Sequence, residues 1–136
     1  MNPIIHLKII GVLLGILAFA HLFFPTYFKW KTDLQALSLI NRQMMYIHTF
    51  FIGLILVLMS LLCLTSANEL VTTALGKKIT IGLGIFWATR LFIQFGGYSS
   101  ELWKGKKFET IVHIFFIFLW AYLTIIFFYV YYTNPN

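Results

Sequence analysis

Four long stretches of apolar residues, separated by short polar connections, dominate the pattern of this chain. None of them alternates apolar with polar residues as a barrel strand does, so each stretch predicts a helix. Crossing the hydrocarbon core of a bilayer takes about 20 helical residues, with a range of about 17 to 25. The pattern therefore predicts one domain, residues 1–136, with four transmembrane spans at about residues 4–24, 44–64, 79–96 and 110–132.

The predicted fold class is an all-α membrane protein, with the four transmembrane helices in an up-down antiparallel bundle. Pro25 is expected to end the first span, because proline lacks the N–H that a continuing helix needs. Two short interfacial helices are expected in the connections, at residues 32–40 and at residues 68–75, the second one ended by Gly76. The pair Gly96-Gly97 is expected to stop the third span.

Composition supports the membrane interpretation. Hydrophobic residues make up 60% of the chain, charged residues only 10%, and the mean hydropathy is +0.87. A soluble domain carries about 25% charged residues. The net charge of +6 would suggest nucleic acid in a soluble protein, but here the cations lie in loops and at the ends of spans. The predicted partners are therefore membrane lipids and no nucleic acid.

The distribution of the cations predicts the orientation. Four spans place both termini and the middle connection on one side of the membrane. The other two connections hold six Lys and Arg residues, against three on the side of the termini. Cytoplasmic loops carry the excess of Lys and Arg, so these two connections are predicted to be cytoplasmic and both termini external. The predicted location is the inner or plasma membrane, with multiple passes.

Four ionisable residues interrupt the apolar stretches, namely His21, His48, Arg90 and His113. At 1.5 Å per helical residue, all four lie within about 3 to 8 Å of the same, cytoplasmic, boundary. His6 lies near the opposite boundary and is interpreted as an unrelated interfacial residue. Ionisable groups are costly inside a bilayer and usually mark function, so the pattern predicts one shared polar site beneath the cytoplasmic face.

Further polar residues fall next to this layer. Asn41 and Arg42 lie where the second span begins, and Glu109 lies one helical turn before the histidine of the fourth span. Gln94 lies four residues after Arg90, which places both side chains on one face of a helix, a face that Trp87 also shares. These neighbours are predicted to complete the site.

One hypothesis is a metal centre. Neutral imidazole is the commonest metal ligand, and His21, His48 and His113 could supply three ligands. Three histidines with an open position would suit zinc that activates water, and a mixture of histidine and carboxylate would suit iron. In such an enzyme Glu109 and His113 are the candidate catalytic residues. The chain has no HExxH, paired Glu-x-x-His or CxxC motif, so the choice of metal stays open.

A second hypothesis uses the arginines. Two histidines on different helices could ligate haem b, with Arg42 and Arg90 paired to its propionates. Without haem, the same arginines together with Asn41 and Gln94 could bind a lipid-soluble small molecule, such as a lipid headgroup, a quinone or an isoprenoid phosphate. Histidines and the glutamate would then transfer protons. The sequence does not separate these cofactors and ligands.

A third hypothesis is structural. An ion pair of Glu109 with Arg90 or Arg42 could fix the register of the helices, as buried charges do in some proteins. The protein would then be a non-enzymatic accessory or structural subunit of a larger membrane complex, or a homo-oligomer. The sequence favours a histidine-based site for a membrane-soluble molecule over this alternative and leaves open whether the protein is an enzyme.

Overall fold

The computed structural model describes residues 1–136 and is all-helical, which confirms the predicted helical class. Seven α-helices and two short 3-10 helices follow one another along the chain. Their bounds are α1 (Pro3–Ala20), α2 (Phe24–Tyr27), α3 (Trp30–Asp33), a 3-10 helix (Leu34–Ala36), α4 (Leu39–Thr65), α5 (Ala67–Thr72), α6 (Ala74–Gly96), a second 3-10 helix (Ser100–Leu102) and α7 (Lys107–Thr133).

Four of these helices, α1, α4, α6 and α7, are long and apolar enough to cross a membrane, with 18, 27, 23 and 27 residues. Their outward surfaces are apolar as well. Phe92 is 77% exposed and Phe118 is 71% exposed, and many other large aliphatic and aromatic side chains share this exposure. Contiguous apolar exposure of this extent is rare on soluble monomers and is what contact with lipid requires.

The first long helix ends earlier than its sequence predicts. Helix α1 stops at Ala20, and the amides of Leu22 and Phe23 bond to carbonyls three residues back, which tightens the chain into a turn. The prediction that Pro25 ends this helix is wrong. Pro25 occupies the first turn of α2, where its missing N–H costs nothing because the first amides of a helix have no helical partner.

The connection before α4 also differs from its prediction. The helix expected at residues 32–40 is divided by Leu37, whose backbone is extended (φ −81°, ψ 150°). Before Leu37 lie α3 and a 3-10 helix, and after it Leu39 and Ile40 already belong to α4. The apolar spacing that had suggested one interfacial helix therefore belongs to two different helices.

The corner between α5 and α6 is organised by hydrogen bonds rather than by a terminating glycine. The Thr73 hydroxyl accepts a bond from the Gly76 amide (2.9 Å) and caps the start of α6. Gly76 therefore lies in the first turn of α6 and does not end the preceding helix, contrary to its prediction. The Asn134 side chain donates to the carbonyls of Leu70 (3.1 Å) and Thr73 (3.0 Å), so residues near the C-terminus cap this corner. Gly96-Gly97 ends α6 as predicted.

The chain divides into two compact units, residues 7–67 and residues 1–6 with 68–136. The arrangement of all four spans as one bundle domain stays a prediction. In the first unit, α1 and α4 run antiparallel: the Ser60 hydroxyl donates to the Gly11 carbonyl (2.6 Å), while nearer the other end of the pair Gly53 faces His21. The missing side chain of Gly11 is what allows this approach, because a Cβ there would lie 2.6 Å from Leu64.

In the second unit, α6 and α7 pack against each other along their lengths, also antiparallel. Aromatic and aliphatic side chains form the core of this pair, and polar pairs mark its two ends. From the one end to the other, the contacts are Lys77 with Asn134, Trp87 with Trp120, and Gln94 with His113.

Candidate functional site

Five residues form what we call the aromatic–arginine cluster: Trp87, Arg90 and Gln94 from α6, and His113 and Trp120 from α7. The spacings of three and four residues place the α6 members on one face, as predicted. The indole rings of Trp87 and Trp120 are stacked, with centroids 5.1 Å apart and planes inclined by 14°. Gln94 and Arg90 therefore lie on the face of α6 that contacts α7.

Gln94 is 6% exposed and bridges the two α7 members of the cluster. Its Oε1 accepts a bond from Trp120 Nε1 (3.3 Å), and its Nε2 lies 2.8 Å from His113 Nδ1. An indole N–H can only donate, so the amide oxygen must face Trp120 and the amide nitrogen must face His113. The amide nitrogen can also only donate, which assigns the lone pair of His113 to Nδ1 and its proton to Nε2. Trp103 covers this imidazole, with ring centroids 3.8 Å apart.

Arg90 is half-buried, and its neighbours in the unit are aromatic. Its Nη2 donates to the Tyr98 hydroxyl (3.2 Å), and the guanidinium carbon lies 5.2 Å from the Trp120 ring centroid and 5.7 Å from that of Tyr98. Glu109, the partner suggested by the sequence, is exposed. The structure therefore sets Arg90 among rings and a hydroxyl.

Two N–H donors of the cluster are buried without any hydrogen-bond partner, Arg90 Nη1 and Trp87 Nε1. Trp87 is only 2% exposed. A buried donor without an acceptor costs roughly 1 to 3 kcal/mol, and more when it is charged. The cluster therefore leaves two unsatisfied donors one turn apart on α6, and this is its most distinctive chemical feature.

His21 and His48 adopt the opposite tautomer from His113. Their Nδ1 atoms lie 2.7 and 2.8 Å from the carbonyl oxygens of Leu17 and Met44, one helical turn back. A carbonyl can only accept, so Nδ1 carries the proton in both imidazoles and Nε2 keeps the lone pair. A metal ligand or a proton acceptor needs this free lone pair, with the other nitrogen donating to a fixed oxygen.

Metal ligation was predicted for three histidines, and their hydrogen bonds separate them. No group of three or more His, Cys, Asp and Glu side chains stands together in the structure. His21 and His48 have the tautomer of a ligand, whereas the nitrogen of His113 that holds the lone pair is already bonded to Gln94. The zinc, iron and haem b hypotheses stay predictions, and His21 and His48 fit them better than His113 does.

An open groove of about 330 Å³ lies along the pair of α1 and α4. Small residues, Gly15, Ala18 and Gly53, leave the space, and apolar side chains supply most of the remaining wall. Two polar side chains line it, His21 and Thr49. Small-molecule sites measure about 300 to 1,000 Å³ and combine apolar walls with a few polar groups, so this groove has the size and the composition of a small site.

The other predicted site residues lie outside both the groove and the cluster. Asn41, His48 and Glu109 are exposed, and Arg42 is half-buried. A further polar pair lies outside the predicted site: His6 Nδ1 is 2.8 Å from the Tyr122 hydroxyl. No local spacing could have indicated it, because these residues are 116 positions apart.

No protein-family model, curated protein or solved structure matches this chain. The chemistry of its side chains is therefore the basis for assigning a function. Two of the residues that line the groove carry polar groups, the imidazole of His21 and the hydroxyl of Thr49. The cluster offers two unsatisfied donors, one of them cationic, beside stacked indoles. The groove suits a neutral molecule with a polar head, and the cluster suits a group rich in acceptors.

Proposed function

We propose that this chain is a multi-pass membrane protein that binds a neutral, membrane-soluble molecule in the groove beside His21. The observation that supports the proposal is the coincidence of the groove with the tautomer of His21. The only imidazole lining the groove keeps its lone pair on Nε2, because its other nitrogen donates to the Leu17 carbonyl. Thr49 adds a hydroxyl that can donate or accept.

The ligand that fits this chemistry has an apolar body and a hydroxyl or carbonyl head, as quinones, quinols and isoprenoid alcohols have. His21 would accept from a hydroxyl, and Thr49 would donate to a carbonyl. A molecule that already dissolves in lipid gains little from leaving lipid for an apolar wall. The two polar contacts, each worth about 0.5 to 1.5 kcal/mol, therefore determine which lipid-soluble molecule is retained.

Filling the groove is expected to abolish this binding. Gly53→Leu places a branched side chain between the walls, and His21→Phe keeps the ring but removes the lone pair. We expect both variants to bind a short-chain benzoquinone or its quinol at least roughly tenfold more weakly, as measured by titration of the detergent-purified protein. Leu58→Phe is the matched control, because Leu58 is exposed on α4 and does not line the groove. Unchanged affinity in Gly53→Leu would contradict the proposal.

The orientation in the membrane forms part of the proposal. The excess of Lys and Arg in the connections before α4 and before α7 supports cytoplasmic placement of both, with external termini and the four helices in an up-down bundle in the inner or plasma membrane. The groove would then open within the cytoplasmic half of the bilayer, because His21 lies just beyond the end of α1 that precedes the first of these connections.

Cysteine labelling tests this orientation. In a Cys63→Ser background, we expect Lys78→Cys to react with a membrane-impermeant maleimide on intact cells and Lys106→Cys to react only after permeabilisation. The physical reason is that lysine-rich loops are retained on the cytoplasmic side during insertion. Reaction of Lys106→Cys on intact cells, with Lys78→Cys protected, would reverse the proposed orientation.

A second candidate function is that of a non-enzymatic accessory or structural subunit, and one observation favours it. The side chain of Gln94 is buried and bonds to both His113 and Trp120, so it connects α6 and α7 at a defined register. A fully bonded polar bridge of this kind specifies how helices align.

A further inference from the structure

We infer that the aromatic–arginine cluster is a second binding site, one that holds an oxyanion, a phosphate group above all, between Arg90 and Trp87. The inference is independent of the groove, which lies in the other compact unit. It begins from the two donors that the chain leaves unsatisfied, Arg90 Nη1 and Trp87 Nε1. Buried polar groups are nearly always bonded, so an unbonded pair indicates an acceptor supplied from outside the chain.

The two donors belong to side chains that share a neighbour. Trp87 and Arg90 lie three residues apart, on one face of α6, and both side chains contact the Trp120 ring. Trp87 is buried, whereas Arg90 is half-buried and so gives access to the cluster. A phosphate group presents several oxygens, each with free lone pairs, and can accept from a guanidinium and from an indole at the same time.

The charge of Arg90 selects an anion over a neutral acceptor. Within its unit, the guanidinium contacts the Tyr98 hydroxyl and the faces of two aromatic rings, and none of these carries a negative charge. Ring faces stabilise a cation less than a charge-assisted hydrogen bond does. A quinone carbonyl would satisfy the hydrogen bond but would leave the charge without a counter-ion, whereas a phosphate supplies both.

The loop that follows α6 points to where the anion comes from. Three exposed lysines lie at the same end of the helix pair as Arg90: Lys104 and Lys106 between α6 and α7, and Lys107 at the first residue of α7. Lysines at a membrane surface concentrate anionic headgroups. A phosphate on a lipid headgroup and free inorganic phosphate share the required chemistry, and the experiment separates these two sources.

This site differs in composition from the anion pocket that the sequence suggested. Gln94 is not available to an anion, because its amide already bonds to His113 and Trp120. Asn41 is exposed in the other compact unit. Arg90 remains, and Trp87 joins it as a donor that no motif could have indicated.

Phosphate binding can be measured on the whole chain in nanodiscs. Discs of phosphatidylcholine alone are compared with discs that contain a minor fraction of phosphatidic acid, and with phosphatidylcholine discs in added inorganic phosphate. The readouts are the thermal midpoint and the retention of phosphatidic acid in native mass spectrometry. For the unmodified chain, we expect phosphatidic acid to raise the midpoint and to remain bound.

Three variants locate the binding. Arg90→Gln is expected to abolish retention, and Trp87→Phe, which keeps an aromatic ring and loses only the N–H, to weaken it by a factor of roughly 2 to 10, as loss of one hydrogen bond does. Trp103→Phe is the matched control, because Trp103 stacks on His113 and holds neither of the two donors. It should bind as the unmodified chain does.

Each outcome decides the inference. A shift with inorganic phosphate equal to that with phosphatidic acid, lost in Arg90→Gln and reduced in Trp87→Phe, supports the site and assigns it to the free anion. Retention unchanged in both Trp87→Phe and Arg90→Gln overturns the inference, and so does a loss that follows only replacement of the three lysines. A neutral quinone that displaces phosphatidic acid from the unmodified chain overturns it as well. Failure of the groove experiment would leave this result standing, because the groove variants, Gly53→Leu and His21→Phe, lie in residues 7–67 and the cluster lies in the other compact unit.

Discussion

Gly76→Ala is expected to destabilise the folded chain by about 3 kcal/mol, the upper end of the cost of forcing an extra methyl group into a packed site. A Cβ on Gly76 would collide with the carbonyl oxygen of Glu69, and it would lie 2.6 Å from Leu70 Cα and 2.7 Å from the Leu70 carbonyl oxygen. All three are backbone atoms, so no side-chain rotation relieves the overlap. Either α5 or the start of α6 must move.

Gly82→Ala is the matched control for this prediction, because Gly82 lies in the same helix with nothing within 4 Å of a Cβ built on it. Replacing a helical glycine in open space removes backbone entropy from the unfolded chain and stabilises by up to about 1 kcal/mol. The two substitutions are chemically identical and should have opposite signs in unfolding of the micelle-embedded protein. Equal effects would show that the corner of α5 and α6 is not packed as described.

Gln94→Leu is expected to destabilise the chain by about 2 to 4 kcal/mol. The leucine has a similar volume but can neither accept from Trp120 Nε1 nor donate to His113 Nδ1, so both partners lose their bonds. Each buried group left unpaired costs roughly 1 to 3 kcal/mol. Trp120 is 4% exposed and bears the full cost, whereas His113 is half-buried and can recover part of its bonding elsewhere.

A double-mutant cycle isolates the bridge from the loss of packing. In a His113→Phe background the bond to His113 is already absent, so Gln94→Leu should cost less there than in the unmodified chain. Gln43→Leu provides a control at an exposed glutamine and should change stability by no more than about 0.5 kcal/mol. Additive effects of Gln94→Leu and His113→Phe would remove the support for a register-fixing role, and with it the argument for an accessory subunit.

The two compact units divide the polar layer that the sequence had presented as one site. His21 belongs to a groove in residues 7–67, and Arg90, Gln94 and His113 belong to a cluster in the other unit. The chemistry of the two groups differs as well. We propose a neutral ligand for the groove and an anion for the cluster, so each proposal can be tested without the other.

The hydrogen bonds of the histidines show why residue type alone could not assign their roles. Three imidazoles at a similar depth predicted three equivalent ligands. In the structure, His21 and His48 donate to backbone carbonyls one helical turn back in the chain, and His113 accepts from the side-chain amide of Gln94. The partner determines which nitrogen keeps the lone pair. In His21 and His48 this nitrogen is Nε2, which takes no part in the bond to the carbonyl, whereas in His113 it is Nδ1, which is already bonded to Gln94.

The sequence by itself determined the features that depend on neighbours in the chain. Hydrophobic runs indicated four long apolar helices, glycines marked the end of α6, and three- and four-residue spacings placed Trp87, Arg90 and Gln94 on one face. These follow from helical periodicity, which acts over one or two turns. The first span and the corner at Gly76 were misjudged because Pro25 and Gly76 are tolerated in the first turn of a helix as well as after its end.

Only the tertiary structure decided the rest. The groove needs α1 to approach α4, the bridge needs Gln94 to meet residues 19 and 26 positions away, and the unsatisfied donors of Trp87 and Arg90 become visible only once every partner around them is placed. Burial and bonding are properties of contacts between distant parts of the chain. No local pattern encodes them, because the same amphipathic face can pack against several different neighbours.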